Sequence, residues 1–158
     1  MIQDTLSGAM AGAAATLPMT LAMVAGHRIL PRQDQHPLPP RQITMRLAQQ
    51  TGLADHLDED QRKAVTLLGH FGYGAACGAL FAAMQSRGAR STVAHATAFG
   101  VAVWTASYLG WLPATGLLSP ATQHPWRRNA LMLGAHVVWG SVLGALLTRR
   151  RLKRPPTR

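Results

Sequence analysis

His70-Phe71-Gly72-Tyr73-Gly74-Ala75-Ala76-Cys77-Gly78-Ala79-Leu80 returns 66 residues later as His136-Val137-Val138-Trp139-Gly140-Ser141-Val142-Leu143-Gly144-Ala145-Leu146. Both copies fit His-x-x-(Tyr/Trp)-Gly-x-x-x-Gly-Ala-Leu, inside segments that are otherwise apolar. On a helix, residues four apart stack on one face, so each histidine stands above a two-glycine groove. Such a groove lets helix backbones approach closely where apolar surroundings give no other drive to associate. The helix-packing candidates are Gly74, Gly78, Gly140 and Gly144. Gly8 and Gly12 join them from a third Gly-x-x-x-Gly near the N-terminus.

Working outward, charge is scarce and segregated. Only 14% of the 158 residues are charged, against about 25% in an ordinary soluble domain. Residues 5–26, 64–86, 91–126 and 129–148 hold no Asp, Glu, Lys or Arg. A bilayer crossing takes about 20 predominantly apolar residues. Three windows fit one crossing each, and 91–126 fits a crossing plus a Pro/Gly-containing loop. The expectation is an all-α integral membrane protein with four transmembrane helices at about 5–27, 62–86, 91–112 and 129–148. Residues 1–148 form one transmembrane domain, and 149–158 a basic tail.

The formal net charge of +10 does not point to nucleic acid, because the bases flank apolar spans. Arg149, Arg150, Arg151, Lys153 and Arg154 abut the last span, where they attract anionic lipid headgroups. The lone Cys77 excludes an intrachain disulfide and reads as a small buried apolar residue.

The first apolar run is longer than a signal-peptide core and has no convincing cleavage site, so it reads as a retained span. Pro18 removes one of its backbone hydrogen bonds and is expected to kink it. His36-Pro37-Leu38-Pro39-Pro40 interrupts the next polar stretch, and Pro40 can begin a short helix of about 40–51 that stops at Gly52. Ile43 and Leu47 share one face of it, while Arg41 and Arg46 are placed to reach headgroups. A short helix packed on its own loop is the competing reading. Asp58 is positioned to cap the second span. Trp104, Tyr108 and Trp111 form one aromatic face on the third span, with Tyr108 and Trp111 suited to the interface. Pro113 ends it, and 113–125 lies in the interface or re-enters shallowly.

Alternation puts the N-terminus, the 87–90 turn and the tail on one side, with 27–63 and 113–128 on the other. Lys and Arg divide eight and eight, but on the first side they crowd into short segments beside the spans, and five of six acids fall on the second. Both termini are therefore expected in the cytoplasm. The loops echo each other too: Leu30-Pro31…Gln35-His36-Pro37 against Leu112-Pro113…Gln123-His124-Pro125. The spans thus read as two pseudo-repeated helical hairpins. His70 and His136 fall at matching depths, about 10 Å below one surface at a rise of ~1.5 Å per residue.

A histidine among hydrocarbon needs a partner. The bland expectation is that each donates to a carbonyl, Ser, Thr or the other ring. As candidate cofactor ligands, the pair offers imidazoles to a haem b iron or a metal. If the glycine faces of spans two and four press on each other, no porphyrin fits between them. Proton transfer is a third role open to imidazole. The spans contain no carboxylate or amine to serve ion coupling or a catalytic base, and Ser107 and Ser141 lack an activating context. No catalytic residue and no dedicated metal cluster is assigned.

Leu38-Pro39-Pro40-Arg41-Gln42-Ile43-Thr44, His70-Phe71-Gly72-Tyr73-Gly74 and Trp104-Thr105-Ala106-Ser107-Tyr108-Leu109-Gly110-Trp111-Leu112-Pro113 follow a Gly/Ala-rich first span. In that order they resemble small bacterial inner-membrane proteins of unknown function, related to the YagU-like (DUF1440) group. The resemblance implies a bacterial inner-membrane location and supplies no site residues. The expected function is that of a non-enzymatic accessory subunit or homo-oligomer packed through its glycine faces. Haem or metal binding through His70 and His136, or a small channel or transporter with a histidine-lined path, stand as alternatives.

Overall fold

The computed structural model describes residues 2–85 and 93–152, with the side chains of Arg151 and Leu152 excepted. The described residues are mostly helical and contain no strand. In chain order they form α1 (Ile2–Ile29), α2 (Pro39–Gln50), α3 (Glu59–Gln85), α4 (Val93–Ala106), a π-helical turn (Ser107–Trp111), α5 (Leu112–Ala114) and α6 (Trp126–Leu152). Single 3-10 turns at Arg32–Asp34, Ala54–His56 and Ala121–Gln123 shape the connections.

Three helices are long and apolar enough to cross a membrane: Ile2–Ile29, Glu59–Gln85 and Trp126–Arg150. The third of the expected spans takes a different form. α4 has 14 regular residues, roughly 21 Å of helix, against about 30 Å of hydrocarbon. Beyond Ala106 the helix widens: Leu112 N–H donates to Ser107 O, five residues back, and Gly110 departs from helical geometry at φ −115°, ψ −105°. Pro113 explains this, because its ring would collide with the carbonyl four residues earlier in a regular α-helix. The π register relieves that collision. α1, by contrast, runs unbroken through Pro18.

α1 and α3 pack antiparallel, as do α4 and α6, and α1 also lies along α6. The first pair meets at glycine on both sides. A Cβ on Gly12 would strike the Gly74 carbonyl, and one on Gly78 the Gly8 carbonyl. In the second pair, Gly140 faces the Ala96 carbonyl, Gly144 faces Val93, and Gly100 faces the His136 carbonyl. The glycine faces of α3 and α6 therefore turn to α1 and α4 respectively, not to each other. Trp139 Nε1 on α6 donates to Gly12 O on α1 at 3.0 Å, bracing one pair against the other. The core between the pairs holds Met19, Met23, Phe81, Met132 and Leu143, each at most 6% exposed.

α3 starts with a reciprocal cap. Asp58 Oδ1 accepts from Gln61 N–H at 2.8 Å, and Asp58 N–H donates to Gln61 Oε1 at 3.0 Å, so two otherwise orphaned donors are satisfied. At the opposite end of the bundle, Arg150 reaches Ser7 Oγ at 2.9 Å. Helix α6 extends through Leu152, so Arg149 and Arg150 belong to it. Lys153, Arg154 and the 87–90 turn lie outside the described residues.

Candidate functional site

Helices α3 and α4 barely touch, and a cavity of about 600 Å³ lies between the two helix pairs on the side where they part. That volume is in the range of small-molecule sites, which are mainly apolar with a few placed polar groups. His70 and His136 both line it. Its deep wall includes Met19, Met23, Cys77 and Trp139, all buried. Leu47, Leu53, Leu68, Tyr73 and Trp111 of the lining are also exposed, so its mouth lies where α2, α3 and the π-turn reach the surface.

The two histidines find separate partners. His136 is 6% exposed, and its Nδ1 bonds the Met132 carbonyl one turn back at 2.8 Å. Tyr108 stands edge-on to its ring at 5.9 Å. His70 is half-buried, and its Nδ1 lies 3.4 Å from Thr20 Oγ1 on α1, long for a hydrogen bond. No hydrogen bond joins the two rings among those described. Among the described residues, no three His, Cys, Asp or Glu side chains converge as a metal cluster.

The π-turn supplies residues that the repeat does not announce. Widening the helix buries Ser107 and Tyr108 at 2% and 5% exposure, and both line the cavity. Ser107 Oγ bonds Tyr73 Oη at 3.0 Å and accepts from Trp111 Nε1 at 3.3 Å. This three-residue latch is the main polar link across the mouth. The expected aromatic face is thus split: Tyr108 stacks on Trp104 at 5.7 Å and points inward, so it is no interfacial residue, while Trp111 remains partly exposed against Tyr73. Gly110 and Pro113, close together beyond Tyr108, were the signal for a register break.

α2 covers one end of the cavity, with Pro39, Ile43, Thr44 and Ala48 in its lining. Polar tethers hold it there. Arg128 is 2% exposed and donates to Gln42 Oε1 at 3.0 Å and to Pro37 O at 3.5 Å. Arg41 pairs with Glu59 at 2.9 Å, and Arg46 Nε reaches Gly116 O at 3.4 Å. Arg41 and Arg46 thus have partners within the chain, as the competing reading of a short packed helix expects. The 113–125 connection folds back against the same end: Leu118 and Ala121 are buried, and Asn129 Nδ2 donates to Ala121 O at 2.7 Å. Burial there, and then the nearby Arg128 charge, push His124 below the ordinary histidine range.

Among the described residues, then, three helices long and apolar enough to cross a membrane stand around an apolar cavity. Residues 20–145 match the family model described as protein of unknown function (DUF1440). The chain belongs to that family. No curated protein and no solved structure matches it.

Proposed function

We propose that this is a non-enzymatic, four-crossing protein of the bacterial inner membrane that binds a lipid-soluble small molecule in the cavity between its two helix pairs. In this reading α4, the π-turn and α5 together make the fourth crossing. Both termini face the cytoplasm, and the two hairpins are pseudo-repeats. The aromatic position of the repeat supports the duplication. Tyr73 on α3 reaches Ser107 in the other pair, and Trp139 on α6 reaches Gly12 in the other pair. Residues at one repeat position thus both reach the other pair, Trp139 at the backbone of the glycine seam and Tyr73 at the π-turn.

The observation that carries the reading is an apolar cavity whose lining includes exposed leucine and aromatic side chains. In this reading that rim faces acyl chains, so the occupant arrives dissolved in the bilayer. The glycine faces support a role inside the chain more than between chains, since Gly8, Gly12, Gly74, Gly78, Gly140 and Gly144 are all turned to a neighbouring helix of the same molecule.

Two glycines on α3 give the test. Gly69 lines the cavity, and a Cβ there makes only an ordinary 3.5 Å contact with Thr44 Oγ1; Gly72, three residues on, has nothing within 4 Å. Gly69→Phe therefore places a ring in the mouth, while Gly72→Phe places one in open space. A decyl-tailed dimethoxybenzene titrated into the purified protein in nanodiscs should bind wild type and Gly72→Phe alike, and Gly69→Phe about tenfold more weakly or worse. Equal binding by all three refutes the cavity site.

A further inference from the structure

The chemistry of the occupant follows from where the hydrogens of the two histidines must be. This step rests on the cavity reading above. Thr20 Oγ1 gives its hydrogen to Thr16 O at 2.7 Å, so across the longer contact to His70 Nδ1 it can only accept. The Met132 carbonyl has no hydrogen to give, so His136 Nδ1 is the donor there. A neutral imidazole carries one donor and one acceptor nitrogen. His136 therefore carries its hydrogen on Nδ1 and its lone pair on Nε2, and the longer Thr20 contact favours the same tautomer in His70.

The other polar groups of the lining largely satisfy one another. Thr16 Oγ1 donates to Gly12 O, Thr44 Oγ1 to Pro40 O and Thr51 Oγ1 to Leu47 O, and Tyr73 is latched to Ser107. Against that background, the two Nε2 atoms stand out as acceptors set in apolar walls, with the Tyr108 hydroxyl another lining group that has no hydrogen bond among those described. An acceptor among hydrocarbon selects a ligand that can donate, because a ligand with only ether or carbonyl oxygens leaves the nitrogen unsatisfied. Tyr108, Tyr73, Trp111 and Trp139 in the same lining offer ring faces and edges to a flat head.

We propose that the cavity takes a lipid-soluble hydroxylated aromatic ring on an apolar tail, its O–H groups donated to Nε2 of His70 and His136. The histidines act as recognition residues that separate hydroxyl-bearing rings from equally apolar rings lacking a donor.

The test compares a decyl-tailed hydroquinone, kept reduced under anaerobic conditions, with the dimethoxybenzene of the same tail. Both partition into nanodiscs containing wild type, His70→Phe, His136→Phe or the double variant. Wild type should hold the hydroquinone roughly tenfold more tightly than the ether. Each phenylalanine should reduce that ratio, and the pair should bring it to about one, with ether affinity retained as the check on folding. His136→Gln, which restores an acceptor, should recover part of the ratio. A wild-type ratio of one overturns the proposal, as does a ratio that survives both phenylalanines. If neither compound binds wild type, the cavity reading itself falls, and this one with it. A Soret band on the purified protein that both histidine variants abolish would also overturn it, assigning the two nitrogens to a haem iron.

Discussion

The α1–α3 and α4–α6 seams use the same device and diverge where it matters. In α1–α3 both helices contribute glycine, at Gly8 and Gly12 against Gly74 and Gly78, and backbone presses on backbone. In α4–α6, Gly140 and Gly144 meet Ala96, Thr97 and Val93, with Gly100 the only glycine α4 returns. α1 then continues unbroken past its seam to Ile29, while the partner of α6 leaves α-helical geometry at Ser107. Both pairs line the cavity beyond their seams, α1 as regular helix and the partner of α6 through the widened turn. Two glycine seams thus give the frame, and the break in the helix after α4 brings Ser107 and Tyr108 to the cavity.

The strongest way to break the frame is bulk in the tighter seam. Gly78→Leu would drive a branched side chain into the Gly8 carbonyl and the Gly12 Cα. No side-chain movement relieves a collision with backbone, so the loss should reach about 3 kcal/mol or more. Gly72→Leu on the same helix meets nothing and should be neutral, or gain up to about 1 kcal/mol from helix propensity. Reversible unfolding of the solubilised protein in mixed micelles reads both. Similar losses at the two positions would mean that the seam is not close-packed.

A smaller change separates the seams from each other. The nearest obstacle to a Cβ on Gly74 is the Thr16 hydroxyl, with the Gly12 carbonyl at 3.2 Å behind it; the obstacles at Gly140 are the Ala96 carbonyl and the Thr97 Cα. Gly74→Ala and Gly140→Ala should each cost roughly 1–3 kcal/mol. Adding Thr16→Ala should relieve most of the first penalty, a coupling of about 1 kcal/mol in a double-mutant cycle. No side-chain truncation on α4 should relieve the second. Strictly additive losses for Gly74 and Thr16 would remove the distinction between a glycine limited by a side chain, Gly74, and one limited by backbone, Gly140.

Much of the frame could be read from residue pattern, because charge-free length and glycine spacing are local properties. The apolar windows gave α1, α3 and α6 to within a few residues, Asp58-Glu59-Asp60-Gln61 gave the start of α3, and the proline cluster gave α2. The site was half legible. Matched depth brought His70 and His136 to one level, and both line one cavity. What pattern could not supply was which helix each glycine face chooses, since every Gly-x-x-x-Gly advertises the same groove. Nor does periodicity survive a π-turn: the i, i+4, i+7 spacing of Trp104, Tyr108 and Trp111 presumes 3.6 residues per turn, and Gly110 with Pro113 changes that count just where Ser107 and Tyr108 turn inward. The tethers of α2 escaped for a third reason. Arg128 lies 86 residues from Gln42, and no local pattern pairs residues across such a separation.

The mildest perturbation addresses the two links between the pairs, from Tyr73 and Trp139. Trp139→Phe removes the donor to Gly12 O, but that carbonyl keeps the Thr16 hydroxyl at 2.9 Å, so it is not stranded. The expected cost is about 1 kcal/mol for the lost bond, with a further contribution from the smaller ring, because Trp139 is 3% exposed in a core where missing volume is felt. Tyr73→Phe removes the bond to Ser107 at a position 40% exposed. Ser107 keeps the Trp111 indole, so the stability cost should be no more than about 0.5 kcal/mol. Its consequence should appear in access instead. With the latch reduced to a single helix, α3 and the π-turn are free to part, and the dimethoxybenzene probe should enter and leave faster at little change in affinity. Trp139→Phe should lower stability and leave those rates alone. If Tyr73→Phe changes neither on-rate nor off-rate, Tyr73 is a brace like its counterpart and the mouth lies elsewhere. If the rates shift as expected, duplication has produced two residues at one repeat position with distinct duties, one fixing the frame and the other guarding its opening.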